Sequence, residues 1–436
     1  MKRLLPILLL CLTLSACAPP EPDPDTVDLA ACPTIPMEDV TEFPLLSGTS
    51  TGASGASYSH IPTEDGIFLV KMTQIDETGW SPDPAFLWYD DFATGELYPV
   101  CTKSNCTHDS YDCNAYFPNA HHLHYDGEYL YYFTGTQPSL WRMKPDGTDR
   151  KLIFHTTEEK SSLPTLLGVV YSGRKVYFAY HGAMLNQETM EIEGGEYICE
   201  GDLDTGELRT LPVQFLKNRN GSTLNLYGLF GGQLLLRHSF IVSGGLNYQK
   251  NEETLFLLDI DTCNVTVLAR WTWDTRDDDS DIAYTYNFSQ GIVLLRGQTG
   301  EAVRSTYADG NEAVLYPGNR ILVDLNAGKA YRQTGLEELS SEQLIDSKLL
   351  LKRWSQDRSF VEQYVLDLST GERSSDAWGT VWMKVEDFQY TAGDYYLIFN
   401  FSGDGNPKYG KIKKDAYWAG DHDAVEYYPE WVIMVM

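Results

Sequence analysis

The chain has 436 residues, a net charge of −29, and 42% hydrophobic against 22% charged residues. So acidic a body is repelled by phosphate, which excludes nucleic acid as a partner and disfavours direct contact with anionic headgroups. Beyond the first 17 residues no run approaches 18 apolar residues, so no later segment reads as a membrane-spanning helix.

Lys2-Arg3 precede an apolar run from Leu4 to Leu14, followed by Ser15-Ala16-Cys17. A charged start, a short apolar stretch and small residues predict a signal peptide over 1–16 rather than a membrane span. Leu14-Ser15-Ala16-Cys17 resembles the lipobox of bacterial lipoproteins, which implies that Cys17 is diacylated and becomes the mature N-terminus. At about 0.8 kcal/mol per buried CH₂, two or three acyl chains hold a protein firmly on a membrane. The chain is therefore expected on the outer side of the bacterial cell membrane. The stretch Pro19-Pro20-Glu21-Pro22-Asp23-Pro24 and the Gly/Ser/Thr/Ala run from Ser47 to Ser59 read as a flexible tether over 17–59. Residues 60–436 read as one domain.

That domain is built from a repeated turn. Tyr125-Asp126-Gly127-Glu128, Tyr171-Ser172-Gly173-Arg174 and Phe230-Gly231-Gly232-Gln233 each lead into an aromatic, apolar run. A second turn type recurs at Ala93-Thr94-Gly95-Glu96, Asp204-Thr205-Gly206-Glu207 and Ser369-Thr370-Gly371-Glu372. Restarts near Gly66, Gly127, Gly173, Gly232, Gly291, Ser347 and Gly393 have the period of propeller blades. The second repeat divides into strands over 121–126, 128–133, 139–144 and 149–154. The expected fold is all-β, a single β-propeller of seven four-stranded blades. One short helix is predicted over Gly335 to Leu344, and Trp431-Val432-Ile433 is a candidate closing strand.

In four antiparallel strands A to D, the A–B and C–D turns share one face and the B–C and D–A loops the other. The first set is tight. The second is long, over 73–85, 101–120, 181–195, 241–253, 270–283 and 297–319, and long loops on a rigid scaffold carry binding residues. That face is expected to present Trp80, Trp271, Trp273, Trp378 and Trp382, with Asp277, Asp279 and Asp281 beside the second pair. Such rings and carboxylates suit sugar or peptide ligands; the same Trp residues also suit burial between blades. Asp277-x-Asp279-x-Asp281 imitates a calcium loop, but Ile282 and Phe288 stand where an EF-hand needs Gly and Glu.

Cys101-x4-Cys106-x-His108-x4-Cys113 places three thiols and an imidazole within thirteen residues, in what reads as the first D–A loop. This is a ligand set for tetrahedral structural zinc. His121, His122 and His124 follow closely and are further candidate ligands. An exported chain with an even number of other cysteines (Cys32, Cys101, Cys106, Cys113, Cys199, Cys263) equally permits a disulfide within the segment. Metal, disulfide and free thiols all stay open at this point.

Enzyme signatures are scarce. Gly48-Thr49-Ser50-Thr51-Gly52 fits G-x-S-x-G only by composition, lacking the strand and helix of a nucleophile elbow. The lipobox, the Pro-rich tether, Met143-Lys144-Pro145-Asp146-Gly147-Thr148, the Asp-x-x-Thr-Gly-Glu turns and the segment Cys101–Phe117 together resemble propeller lipoproteins of Gram-positive bacteria, similar in blade style to TolB-like propellers. The resemblance is one of architecture and brings no activity with it. The first expectation is a non-enzymatic, membrane-anchored module binding protein, peptide or glycan. The alternatives are a glycan- or peptide-active hydrolase with carboxylates in the central funnel, and a thiol or metal sensor on the Cys101–Cys113 loop.

Overall fold

A computed structural model describes residues 26–41, 43–46, 52–54, 60–74, 81–117, 120–134, 138–156, 165–185, 192–215, 222–245, 248–274, 285–289, 291–298, 303–306, 312–315, 318–333, 339–354, 360–375, 388–401 and 407–429. The chain is a seven-bladed β-propeller, each blade an antiparallel sheet with strands in sequence order from the innermost (A) to the outermost (D). Blade 1 contains His60–Pro62, Gly66–Gln74, Ser81–Asp91 and Glu96–Pro99; blade 2 contains Ala120–Tyr125, Leu130–Thr134, Ser139–Met143 and Lys151–His155. The A strands of blades 3 to 7 begin at Thr165, Ser222, Thr285, Leu339 and Phe388. Each blade buries alternate residues against its neighbours. Tyr131, Phe133 and Leu140 of blade 2 meet Val169, Val176 and Phe178 of blade 3, for example.

The recurrent Asp-x-x-Thr-Gly-Glu sequence is the C–D turn. Asp91 Oδ1 accepts the amides of Ala93 and Thr94, Thr94 Oγ1 accepts the amide of Glu96, and Gly95 sits at φ +70°. Asp202 to Glu207 and Asp367 to Glu372 repeat these bonds. An Asp cap followed by a residue that tolerates positive φ closes the turn at little cost.

Several long connections are ordered ribbons. Strands B and C of blade 3 pair out to Leu185 and Ile192, and those of blade 4 pair to Gly245 and Tyr248. In blade 5 a hairpin, Val303–Thr306 with Glu312–Leu315, lies between strands B and C. The helix expected over Gly335 to Leu344 is not formed across its described part. Leu339–Ile345 is instead strand A of blade 6, paired to Lys348–Trp354 through a bulge. Ladder pairing overrides a local helical pattern here. The α-helix among the described residues is Lys414–Ala419, between strands C and D of blade 7, ended by Gly420 at φ +71°.

The tether expected over 17–59 also differs. From Thr26 the chain runs past blades 3 to 6, along the outermost strands of blades 4 and 5. Thr26–Val27 pairs in parallel with Gln214–Phe215, Thr34 bridges to Val267, and Met37–Val40 pairs with Ala330–Gln333. The Leu46 amide then donates to Leu368 O at 2.8 Å. Leu29, Phe43 and Leu46 are buried in inter-blade clusters. The belt covers sheet edges that would otherwise expose unpaired amides. Gly52–Ser54 next pairs with the inner edge of blade 4, against Phe230 to Gly228.

Blade 7 takes all four strands from the C-terminal part of the chain, with Glu426–Tyr427 outermost. The ring closes through side chains, with Ile67 and Leu69 of blade 1 against Leu397 and Tyr409 of blade 7. The proposed closing strand at Trp431 lies outside the described residues.

Candidate functional site

The cysteine segment is an excursion within strand D of blade 1, and not a D–A loop. Glu96–Pro99 pairs with the end of strand C, and Tyr116–Phe117 pairs with Phe86 and Ala85 of that same strand. Between them, the Val100 amide donates to Leu87 O at 3.0 Å, and the Leu87 amide donates to Ala115 O at 2.8 Å. Val100 and Ala115 thus share one ladder position, and residues 101–114 leave the sheet and return to it.

Inside that excursion the four side chains converge. The ligand atoms of Cys101, Cys106, His108 and Cys113 all lie within 4.8 Å of one another. His108 Nδ1 is 3.4 Å from Cys113 Sγ. Asn105 and His108 adopt φ of +62° and +57°, which turn the chain on both sides of Cys106 and point it back toward the cluster; Asn and His are among the non-glycine residues that enter this region most readily. Backbone amides serve the sulfurs. Ala115 N donates to Cys113 Sγ at 3.3 Å, and the amides of Lys103 and Asn114 donate to Cys101. Burial pushes the Cys113 thiol up to about 12. Burial acts the same way on Cys101, but its amide donors and the neighbouring thiols outweigh it and the group sits below the ordinary thiol value. None of Cys101, Cys106 and Cys113 is in a disulfide. His121, His122 and His124 lie on strand A of blade 2, and the convergent set does not include them.

Blade 2 clamps the far side of the excursion. Arg150 donates to Asn114 O at 2.8 Å and to Tyr116 O. Gly147, at φ +78°, brings its backbone so near that an added Cβ would stand 2.0 Å from Asn114 O. Only glycine fits there, which gives the Pro145-Asp146-Gly147 turn a structural meaning.

The near side of the excursion walls a groove of about 710 Å³ between blades 1 and 2. Its floor is a run of touching rings: Tyr98 to Tyr89 at 5.9 Å between centroids, Tyr89 to Phe68 at 4.6 Å, and Phe68 to Tyr125 at 5.3 Å. Glu64, Asp65 and Asp146 supply carboxylates, Cys101 and Thr102 form one wall, and among the described residues no Lys, Arg or His lines it. Burial raises the phenols of Tyr89, Tyr98 and Tyr125, so they remain hydrogen-bond donors at neutral pH.

This groove lies on the face of the tight turns, opposite the face that loop length selects. Trp80, Asp277, Asp279, Asp281, Trp378 and Trp382 lie outside the described residues, as does Cys17. Trp271 and Trp273 belong to strand D of blade 4, with their backbones opposite Glu253 and Asn251. The groove tyrosines were not singled out by sequence because they are three among 28. Their usable signal was the cross-strand pair Tyr89–Tyr98 on either side of the Asp91–Glu96 turn.

No family model matches the chain, and no curated protein does. Among solved structures it is similar to a protein described as a candidate 6-phosphogluconolactonase of Bacteroides uniformis, at 12% identity and a TM-score of 0.37, over 84% of this chain and 96% of that one. A protein of Bacteroides fragilis described in the same way matches at 14% identity and 0.36, over 84% and 94%. The N-terminal domain of Nup159 matches at 10% and 0.31, over 89% and 96%.

Proposed function

We propose that this chain is a lipid-anchored, exported propeller that acts as a non-enzymatic binding module, and that it takes a cationic peptide segment in the groove between blades 1 and 2. The observation that carries this reading is the groove's composition: four contiguous aromatic rings and three carboxylates, with no basic side chain in the lining among the described residues. Flat rings bind apolar and cationic side chains over their faces, and the carboxylates attract a positive partner. Tyr98, 41% exposed, presents its ring to solvent at the rim. The anchor rests on the lipobox at Cys17 and the apolar run before it.

The test is panning of the full chain against short peptides that carry Lys or Arg among apolar residues. Enriched peptides should bind about tenfold more weakly to Tyr98→Ala and measurably more weakly to Glu64→Gln, with affinity falling as salt rises. Preference for neutral glycans, or cleavage of the bound peptide, would replace this reading with a lectin or a hydrolase. Anchoring is read separately, since Cys17→Ala should abolish incorporation of labelled palmitate.

A further inference from the structure

We infer that Cys101, Cys106, His108 and Cys113 form a closed Cys₃His site for a structural zinc ion, which holds the excursion of blade 1 in place. Three independent features of the segment lead there. The first is distance. Zn–S bonds of about 2.3 Å and Zn–N bonds of about 2.0–2.1 Å in a tetrahedron set N···S separations near 3.6 Å and S···S separations near 3.8 Å. The observed His108 Nδ1 to Cys113 Sγ separation is 3.4 Å, and the whole set lies within 4.8 Å. Small side-chain shifts bring all four onto one ion.

The second feature is the support around the sulfurs. Cys101 and Cys113 each accept the amide of the residue two positions on, Lys103 and Ala115. Such donors fix the direction of a sulfur and spread the negative charge that three thiolates would concentrate. The third is structural need. Residues 101–114 leave the sheet at Val100 and rejoin it at Ala115, opposite the same Leu87. Fourteen residues with so little regular structure bury few apolar side chains, and a metal supplies the cross-links that a small core cannot.

Binding replaces the three thiol protons, which leave to solvent, with three Zn–S bonds; the neutral His108 ring supplies a Zn–N bond, and the oxidation state of the metal is unchanged. Thiolate-rich tetrahedral shells select zinc over magnesium, calcium or manganese. Four protein ligands leave no open position for water or substrate, so the ion is a staple and not a Lewis acid.

The experiment is metal analysis of the full chain, solubilised in mild detergent and purified without chelator. About one zinc per chain is expected. Bound zinc should fall to background in His108→Ala and Cys106→Ser and persist in His108→Cys, which keeps four ligands and so separates loss of a ligand from loss of the fold. Cobalt(II) exchanged into the chain should show the intense visible bands of a tetrahedral thiolate site. Two results would overturn the assignment. One is a chain that, under reducing conditions, neither contains zinc nor takes up added zinc or cobalt. The other is a native disulfide joining any two of Cys101, Cys106 and Cys113 in non-reducing peptide maps.

Discussion

Lys411 and Asp90 form a buried ion pair across the seam between the last blade and the first. Lys411 Nζ stands 2.9 and 2.7 Å from the two carboxylate oxygens, and the side chains are 6% and 2% exposed. Tyr428 donates its hydroxyl to Asp90 at 2.8 Å, and the rings of Phe92 and Tyr395 lie 5.0 and 5.7 Å from the ammonium. The pair is thereby supplied with further partners for its charge. It stands where a strand borrowed from the other end of the chain would close a ring of another design.

Removing one member leaves a buried charge without its counter-ion, which costs about 3–5 kcal/mol. Lys411→Met should therefore lower the free energy of unfolding in urea by about that amount. The double variant Asp90→Leu/Lys411→Met should regain most of the loss. Equal damage in the single and double variants would show that the seam depends on shape there and not on charge.

Acid should weaken the fold before carboxylates titrate. Burial holds His60 and His122 at about 3, and His121 and His124 at about 4, against about 6.5 for an unfolded histidine. Between those values the unfolded chain binds more protons, so stability is fully present above pH 6.5 and falls as pH drops toward 4. Each ring contributes a slope of about 1.4 kcal/mol per pH unit in that window. His124 stacks on Tyr171 with centroids 4.5 Å apart and planes at 10°. His124→Phe keeps a ring there and should make the slope shallower by up to about that amount; urea titrations at pH 5 and pH 7 measure it. An unchanged slope would show that His124 is not neutral in the fold.

Cys263 sits at φ +56° in the C–D turn of blade 4, the position that Gly95, Gly206 and Gly371 hold in the equivalent turns. The turn holds this L-residue in the left-handed region, where its Cβ costs about 1–2 kcal/mol. Asp259 still caps the turn through the amide of Thr262 at 2.8 Å. Cys263→Gly should raise Tm. The gain will be less than the full strain, because the half-buried thiol packs on the core of blade 4 and glycine costs chain entropy. A lower Tm would mean that this contact outweighs the backbone strain.

Sequence made the blades legible because their signals are local. An Asp, a Thr and a Gly at fixed spacing specify the C–D turn without reference to any distant residue, and the blade count followed from the equally local restarts between Gly66 and Gly393. The Cys101–Cys113 ligand set was visible for the same reason, although its place inside strand D was not, since that depends on Leu87 pairing with two residues fifteen apart. The belt from Thr26 to Leu46 was read as tether from its composition. What orders it is parallel pairing with strands roughly 190 to 290 residues away, and short parallel segments carry little alternation of their own. Gly335 to Leu344 failed similarly, with a helix-like string captured by its neighbour strand. The groove needed three dimensions, because Phe68, Tyr89, Tyr98 and Tyr125 come from strands of two blades.

X-ray absorption at the zinc edge of the metal-loaded full chain tests most directly whether a metal holds the outer strand of blade 1 open against the groove. Three sulfurs at about 2.3 Å and one nitrogen at about 2.0–2.1 Å are predicted, with four sulfurs and no nitrogen in zinc-loaded His108→Cys. A first shell of oxygens and nitrogens without sulfur would contradict it, because the metal would then be bound elsewhere and the excursion would stand without a staple.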